Sequence, residues 1–287
     1  MKTHHNARGG KASGVRLALR YLVMAILCFL CLFFFYILII NSTHSHFEIQ
    51  RGFSFLPGSS FMMNLNNVLN DVNIPVVSGI RNSLIVSDMT ALLSVYFSAL
   101  TAYGIYAYNF KFKKAAFTTI MLIMMMPTQV SAMGFVRLIT EIGLKDTLVA
   151  LFLPSIAAPV VFFFMKQYME SNLPMEIVEA ARIDGCGEFY TFNRIVLPII
   201  KPALAVQAIF TFVGAWNNYF LPALVIDSAN KKTLPILIAQ LRSADFLKFD
   251  MGKVYMLVFL AILPIIIIYL LLSKFIVRGV ALGGVKQ

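Results

Sequence analysis

The sequence predicts an all-α membrane protein: six transmembrane helices, with a helix–turn–helix loop between the fourth and the fifth. Three observations predict it. Of 287 residues, 59% are hydrophobic and 13% charged, about half the charged share of an ordinary soluble domain, and mean hydropathy is +0.80. The apolar residues gather into runs long enough to cross the hydrocarbon of a bilayer, which takes roughly 20 helical residues. Among those runs sits one compact, charged, small-residue segment, "EAARIDG", Glu179 to Gly185. Spanning segments must satisfy their backbone internally, which leaves helices or closed barrels. A barrel would show short alternating segments, and long unbroken runs are what this chain has.

The elements follow in order. Residues 1–20 are a basic tail. Residues 21–40, "YLVMAILCFLCLFFFYILII", carry no charge. The run is longer than a signal-peptide core, and Asn41-Ser42-Thr43-His44 offers no small-residue cleavage site, so a retained signal-anchor helix is expected. A loop occupies residues 41–82. A core at 83–276 holds the other five helices, near 83–107, 115–136, 147–165 and 203–226 and at "VYMLVFLAILPIIIIYLLLS", Val254 to Ser273. Residues 277–287 are a second tail. Pro127, Pro154, Pro159, Pro222 and Pro264 fall in these spans, where proline removes a hydrogen bond and kinks the helix.

Net charge is +11. No separate basic domain exists to hold nucleic acid. In a membrane protein, Lys and Arg collect instead in cytoplasmic loops. Fifteen of the 24 lie in residues 1–20, in the loop at 108–114, in the loop at 166–202 and in residues 274–287. That side is expected to be the cytoplasm, with both termini in it and the 41–82 loop outside. Cys28 and Cys31 form a C-x-x-C inside an apolar run with no basic neighbour to lower a thiol pKa, which makes them packing residues and not a redox pair.

The 166–202 loop is long for a connection and is not disordered by composition. Pro174 can open a helix, Glu176 and Glu179 suit its N-terminal dipole, and Gly185 and Gly187 end it. A second short helix runs from Glu188 to about Val196 and stops at Pro198. Ile177, Ala180, Ala181 and Asp184 share one face by spacing. Two readings of that face stand side by side. It is a knob for a partner's groove, with small residues for close approach and acids for a partner's cations. Or it is an interfacial helix on lipid headgroups, although such helices prefer Lys and Arg on their polar side.

No G-x-x-x-x-G-K-[ST] is present, so the chain is not expected to hold ATP. Neither a metal-spaced cluster nor a catalytic triad is visible, so it is not expected to be an enzyme, and no cofactor or metal ligand is assigned. Within the spans, Asp88 is the main ionisable group. A cation-coupled secondary transporter, the alternative reading, calls for more such groups and for inverted repeats. For a solute path the candidates are Asn82 and Ser83, then Trp216, Asn217, Asn218 and Tyr219. Helix packing is the ordinary use of such residues. Tyr103, Tyr106 and Tyr108 read as an interfacial belt.

"EAARIDGCGEFYTFNRIVLPIIKPAL", Glu179 to Leu204, resembles the EAA loop of permease subunits of binding-protein-dependent ABC importers. The family pattern is Glu-Ala-Ala, then Asp-Gly, then Ile-x-Leu-Pro. Here these are Glu179-Ala180-Ala181, Asp184-Gly185 and Ile195, Leu197 and Pro198, with Cys186 where Ala is more usual. "WNNYFLPAL" from Trp216 and "GVALGGVKQ" from Gly279 agree with the carbohydrate branch, of the maltose-transporter G-subunit type. The resemblance covers spans two to six.

It implies a function and a set of partners: a heterodimer with a second, sister permease, a cytoplasmic ATPase dimer, an extracellular solute-binding protein and a carbohydrate substrate, all at the cell membrane. It also implies residue roles. Glu179 pairs with a basic group in an ATPase cleft, Ala180 and Ala181 permit close docking, and Asp184 and Gly185 shape the turn. Ile195, Leu197 and Pro198 tie the loop to span five. Gly283, Gly284 and Lys286 in the tail reach the ATPase. ATP and Mg belong to that partner.

Overall fold

A computed structural model describes residues 9–242 and 250–283. Among them every regular element is helical: α1 (Gly9–Ser42), α2 (His46–Arg51), α3 (Phe61–Leu69), α4 (Val76–Ala107), α5 (Lys113–Met124), α6 (Thr128–Glu141), α7 (Val149–Phe152), α8 (Pro159–Asn172), α9 (Met175–Ile183), α10 (Glu188–Thr191), α11 (Leu197–Ile199), α12 (Lys201–Trp216), α13 (Phe220–Val225), α14 (Leu234–Arg242) and α15 (Met251–Gly283). A 3-10 turn at Leu153–Ile156 joins α7 to the approach of α8, and a π-helical turn at Phe192–Val196 joins α10 to α11.

Four helical stretches are long and apolar enough to cross a membrane: Arg16–Ser42, Val76–Ala107, Val149–Asn172 and Met251–Leu271. Two further pairs qualify only as bent spans, α5 with α6 at 98° and Glu188–Ile199 with α12 at 82°. Counting each bent pair once gives six. The crossing expected at 115–136 is therefore a sharply bent pair. Pro127 supplies the reason: it stands at the N-cap of α6 with ψ 128°, its ring cannot continue α5, and it drives the residue before it out of the helical region.

The chain divides into two compact units. The first holds α1, α2, α3 and the start of α15. Its helix α1 exposes apolar side chains on most sides, Phe29, Leu32 and Phe34 among them, as a lipid-facing helix does. Asn64, 1% exposed, donates from Nδ2 to the carbonyls of Ser42 (2.9 Å) and His44 (2.8 Å). Gly252 lies directly against that amide, where a Cβ would stand 2.7 Å from Asn64 Oδ1.

The second unit is organised on α4, which packs mainly against α12 and α8. Ser83, Ser87, Ala91, Ser94, Ser98 and Ala102 recur every three or four residues along it and are all buried. Small side chains let helix backbones approach closely where lipid provides no hydrophobic drive. At one end of α4, Val95, Ala99, Ala102 and Tyr103 share a core with Phe162, Met165 and Met169 of α8 and with Val178, Phe192, Val196 and Ile200.

Candidate functional sites: the loop helix and the broken-helix cavity

The loop after α8 is a built structure. Pro174 caps α9. At its far end Gly185 takes φ +78°, Gly185 N–H donates to Arg182 O and Cys186 N–H to Ala181 O, both 3.0 Å. This is a Schellman end, which needs a residue tolerant of the left-handed region. Asp184 is the C-cap beside it.

The outer face of α9 carries Glu176, Ile177, Glu179, Ala180 and Asp184 in the open, with Ile183 87% exposed, and Phe189 and Tyr190 stand exposed just beyond. Ala181 departs from the face expected for it: at 5% exposure it lies inward beside Val178, which is fully buried. Its four-residue offset from Ile177 turns it about 40° toward the core side. Ile195 sits in the π turn, while Leu197 and Pro198 begin α11, where a first-turn proline costs no hydrogen bond.

The inner face is pinned to α4 by a polar cluster. Arg182 Nε meets Glu188 Oε1 at 2.7 Å, and Tyr103 OH donates to Glu188 Oε2 at 3.0 Å. The Arg182 guanidinium lies over the Tyr108 ring at 5.0 Å, and burial, then the Glu188 carboxylate, push the Tyr108 phenol up. Tyr106 OH donates to Leu173 O at 2.7 Å. The tyrosines expected to form an interfacial belt are thus loop anchors. Three tyrosines within six residues mark the end of α4, but the loop that follows them at once is basic, and nothing in their spacing points to the 166–202 loop that supplies their partners.

The expected path residues divide. Asn82 (2% exposed) donates from Nδ2 to Asn230 O at 2.9 Å and Lys232 O at 3.0 Å, and Ser83 Oγ accepts from Leu234 N–H at 2.8 Å. Both are spent holding the 230–234 backbone. Trp216, also 2% exposed, donates from Nε1 to Ala261 O at 3.0 Å and stacks on Phe212. Asn217 and Tyr219 are exposed.

Asn218 lines two cavities. One of about 220 Å³ is bounded by Thr90, Ser94, Ser155 and Thr211 among others, and one of about 590 Å³ by Thr128, Gln129, Ser131, Phe135 and Phe220. Both include Asn218 and Leu221. Thr90, Thr128 and Gln129 were missed by sequence reasoning, because they stand on different helices and no spacing links them.

Asp88 is exposed, in a stripe with Val77, Arg81, Ile85 and Leu92 along α4. At the end of the second unit away from the loop helix, Asp146 (φ +58°) accepts from Asp227 N–H and Ser228 N–H at 2.9 Å each, from Ser228 Oγ, and from Lys231 Nζ at 3.1 Å. The Ser228 hydroxyl first, then its amide, hold this carboxyl well below the usual range. Gly284 and Lys286 lie outside the described residues. Gly283 is the last residue of α15.

Residues 91–281 match the family described as binding-protein-dependent transport system inner membrane component. The arabinooligosaccharides transport system permease protein AraQ of Bacillus subtilis (strain 168) is 37% identical over 208 residues, 71% of this chain and 72% of that one. The lactose transport system permease protein LacG of Rhizobium radiobacter is 28% identical over 93% of this chain and 95% of its own. In fold, the chain resembles a bacterial ABC transporter involved in the import of the acidic polysaccharide alginate, with TM-score 0.79, 20% identity, and coverage of 95% and 99%. Helices of membrane-spanning length, a loop helix welded to the span ends and a family match over most of the chain lead to one assignment: this is a multi-pass membrane protein of the family of binding-protein-dependent transport system inner membrane components.

Proposed function

We propose that the chain is one of two permease subunits of an ATP-driven carbohydrate importer in the cell membrane. Both termini and the 166–202 loop lie in the cytoplasm, and an extracellular binding protein delivers the sugar. Its partners are a sister permease and a cytoplasmic ATPase dimer, which binds ATP and Mg. The observation that carries this is the two-sidedness of α9. Glu179 and Asp184 stand exposed beside Ile177 and Ile183, while Ala181 is buried and Val178 lies in the core shared with α4 and α8. An exposed isoleucine flanked by acids fits a basic cleft with an apolar floor, as in helix-in-groove recognition. Glu179 and Asp184 would engage the cleft's cations, and Ala180 would allow close approach. Gly185 closes the helix, and Ile195, Leu197 and Pro198 pass the load to α12.

The exposed Arg81 and Asp88 stripe supports a second permease. A charged side chain facing lipid within a span costs about 3 kcal/mol, and burial against a polar partner face or a wet path removes that cost. Asn218 belongs to the path, and the tail of Gly283, Gly284 and Lys286 is taken to contact the ATPase.

The test is reconstitution of the full complex with Glu179→Lys. The expected result is ATPase uncoupled from uptake, or failure of the ATPase to copurify. Normal ATP-driven uptake by that variant removes the docking role. Uptake by this chain in proteoliposomes with no ATPase present would point to a secondary transporter instead.

A further inference from the structure

We infer that this subunit itself carries a carbohydrate-binding site where three helix breaks converge, and that the site takes uncharged sugars. The inference rests on the importer reading and names the substrate class at its path.

The breaks are the α5–α6 bend before Thr128, the 3-10 turn at Leu153–Ile156 before α8, and the interruption between α12 and α13 at Asn217–Tyr219. Each contributes to the wall of the larger cavity, through Thr128 and Gln129, through Pro154 and Ala157, and through Asn218 and Phe220. Non-helical backbone at membrane depth is tolerated only where it is buried in protein or lines a wet cavity, and broken helices mark solute sites in other transporter folds. The volume of about 590 Å³ falls within the roughly 300–1,000 Å³ of small-molecule sites.

The chemistry of the wall selects the ligand. In the larger cavity Thr128 Oγ1 donates to Gln129 Oε1 and Ser131 Oγ to carbonyls of its own helix; in the smaller one, which shares Asn218 and Leu221 with it, Ser155 Oγ donates to Phe152 O and Thr211 Oγ1 to Gln207 O. Their protons are committed, so their remaining lone pairs can only accept. Gln129 Oε1 accepts from Thr128 Oγ1 and Asn218 Oδ1 from Leu221 N–H, which leaves their amide N–H groups as the donors of the wall. A wall of acceptors calls for a ligand that brings many O–H donors. The Asn218 and Gln129 amides can answer its acceptors, and Phe135 and Phe220 offer apolar faces to the C–H side of a pyranose. A carboxylate or phosphate brings acceptors only. No Lys, Arg or His lines either cavity to receive one. The wall of this subunit is therefore matched to a neutral sugar, unlike the acidic polysaccharide handled by the fold's structural neighbour.

The test uses the complete importer with its binding protein in proteoliposomes. It is offered arabinotriose, raffinose, maltotriose and, as the acidic probe, trigalacturonate. ATP-dependent uptake of a neutral probe in preference to trigalacturonate is expected. Asn218→Ala and Gln129→Ala should each lower the maximal uptake rate about fivefold to tenfold, the worth of one neutral hydrogen bond. Binding-protein affinity and copurification of the ATPase should be unchanged, and the amide-bearing Asn218→Gln and Gln129→Asn should restore part of the rate. If both variants transport at the wild-type rate while the wild type is ATP-driven, the site is wrong and the importer reading stands. Preferred uptake of trigalacturonate overturns the neutral-sugar assignment. Loss of a variant's rate together with its assembly, unrescued by Gln129→Asn or Asn218→Gln, assigns these residues to packing and also overturns the site. Uptake of no probe by the wild type removes the importer reading and the inference with it.

Discussion

Replacing Glu188 by Ala should loosen the loop helix without unfolding the spans. Two interactions are lost. The Arg182–Glu188 pair is partly solvated, with side chains 31% and 42% exposed, so solvent screening leaves it about 0.5 kcal/mol. Tyr103 is different, being 3% exposed. Its hydroxyl, deprived of Glu188 Oε2, is left unpaired at a cost of about 1–3 kcal/mol. Together the loss is about 2 kcal/mol, or about thirty-fold in the local opening equilibrium. Glu188→Gln keeps an acceptor for Tyr103 and should lose only the ion-pair share. Hydrogen exchange at the α9 amides measures this directly. Faster exchange in α9 with unchanged exchange in the middle of α4 is the expected pattern for Ala, with Gln close to wild type. In a Tyr103→Phe background the Ala change should cost only the ion-pair share, because the orphaned hydroxyl is gone. Equal exchange in Ala and wild type, or identical effects of Ala and Gln, would refute the reasoning.

The Asp146 clasp gives a pH dependence. Its carboxyl is depressed in the folded protein, so its stabilisation is complete above the ordinary carboxylate pKa of about 3.9 and is lost as pH falls through the lower folded value. Thermal melts should therefore show Asp146→Asn less stable than wild type from pH 7 down to about 5, with the gap narrowing below about 4. A gap that closes between pH 7 and 5 contradicts this. Gly252→Ala should lower stability by about 1–3 kcal/mol, because Asn64 is held by two carbonyls and cannot retreat. An unchanged melt speaks against that close approach, and Asn64→Ala should recover part of the loss in the double variant.

Elements governed by local chemistry were legible in the sequence. The apolar runs at α1 and α15, the start of α9 at Pro174 and its end at Gly185 follow from hydrophobicity, a missing N–H and a missing Cβ, all properties of the residues themselves. Features set by long-range pairing were not. Asn82 and Ser83 look like path residues until the 230–234 backbone is laid beside them, some 150 residues along the chain. Ala181 sits near the boundary between two faces, and only the burial of Val178 in the core that holds Met165 and Met169 shows which way the helix turns. The cavity is assembled from several helices whose sequences each look like ordinary spans. Its one local trace was Pro127 followed by Thr128 and Gln129, a helix start where a kinked but single crossing was expected. The π turn at Phe192–Val196 was read as plain helix, because a widened turn leaves no compositional mark.

The serine and alanine seam of α4 has a mechanical consequence. Bulky side chains interlock like gear teeth, and sliding one helix past another then means lifting every tooth at once. A surface of hydroxymethyl and methyl groups has shallow relief. Ser98, which bonds the Ala158 carbonyl at 3.2 Å, could release it and find an equivalent oxygen after a small displacement. A shear of α8 or α12 along α4 thus trades like contacts for like, and the helix best buried in this unit serves as the rail on which its neighbours travel.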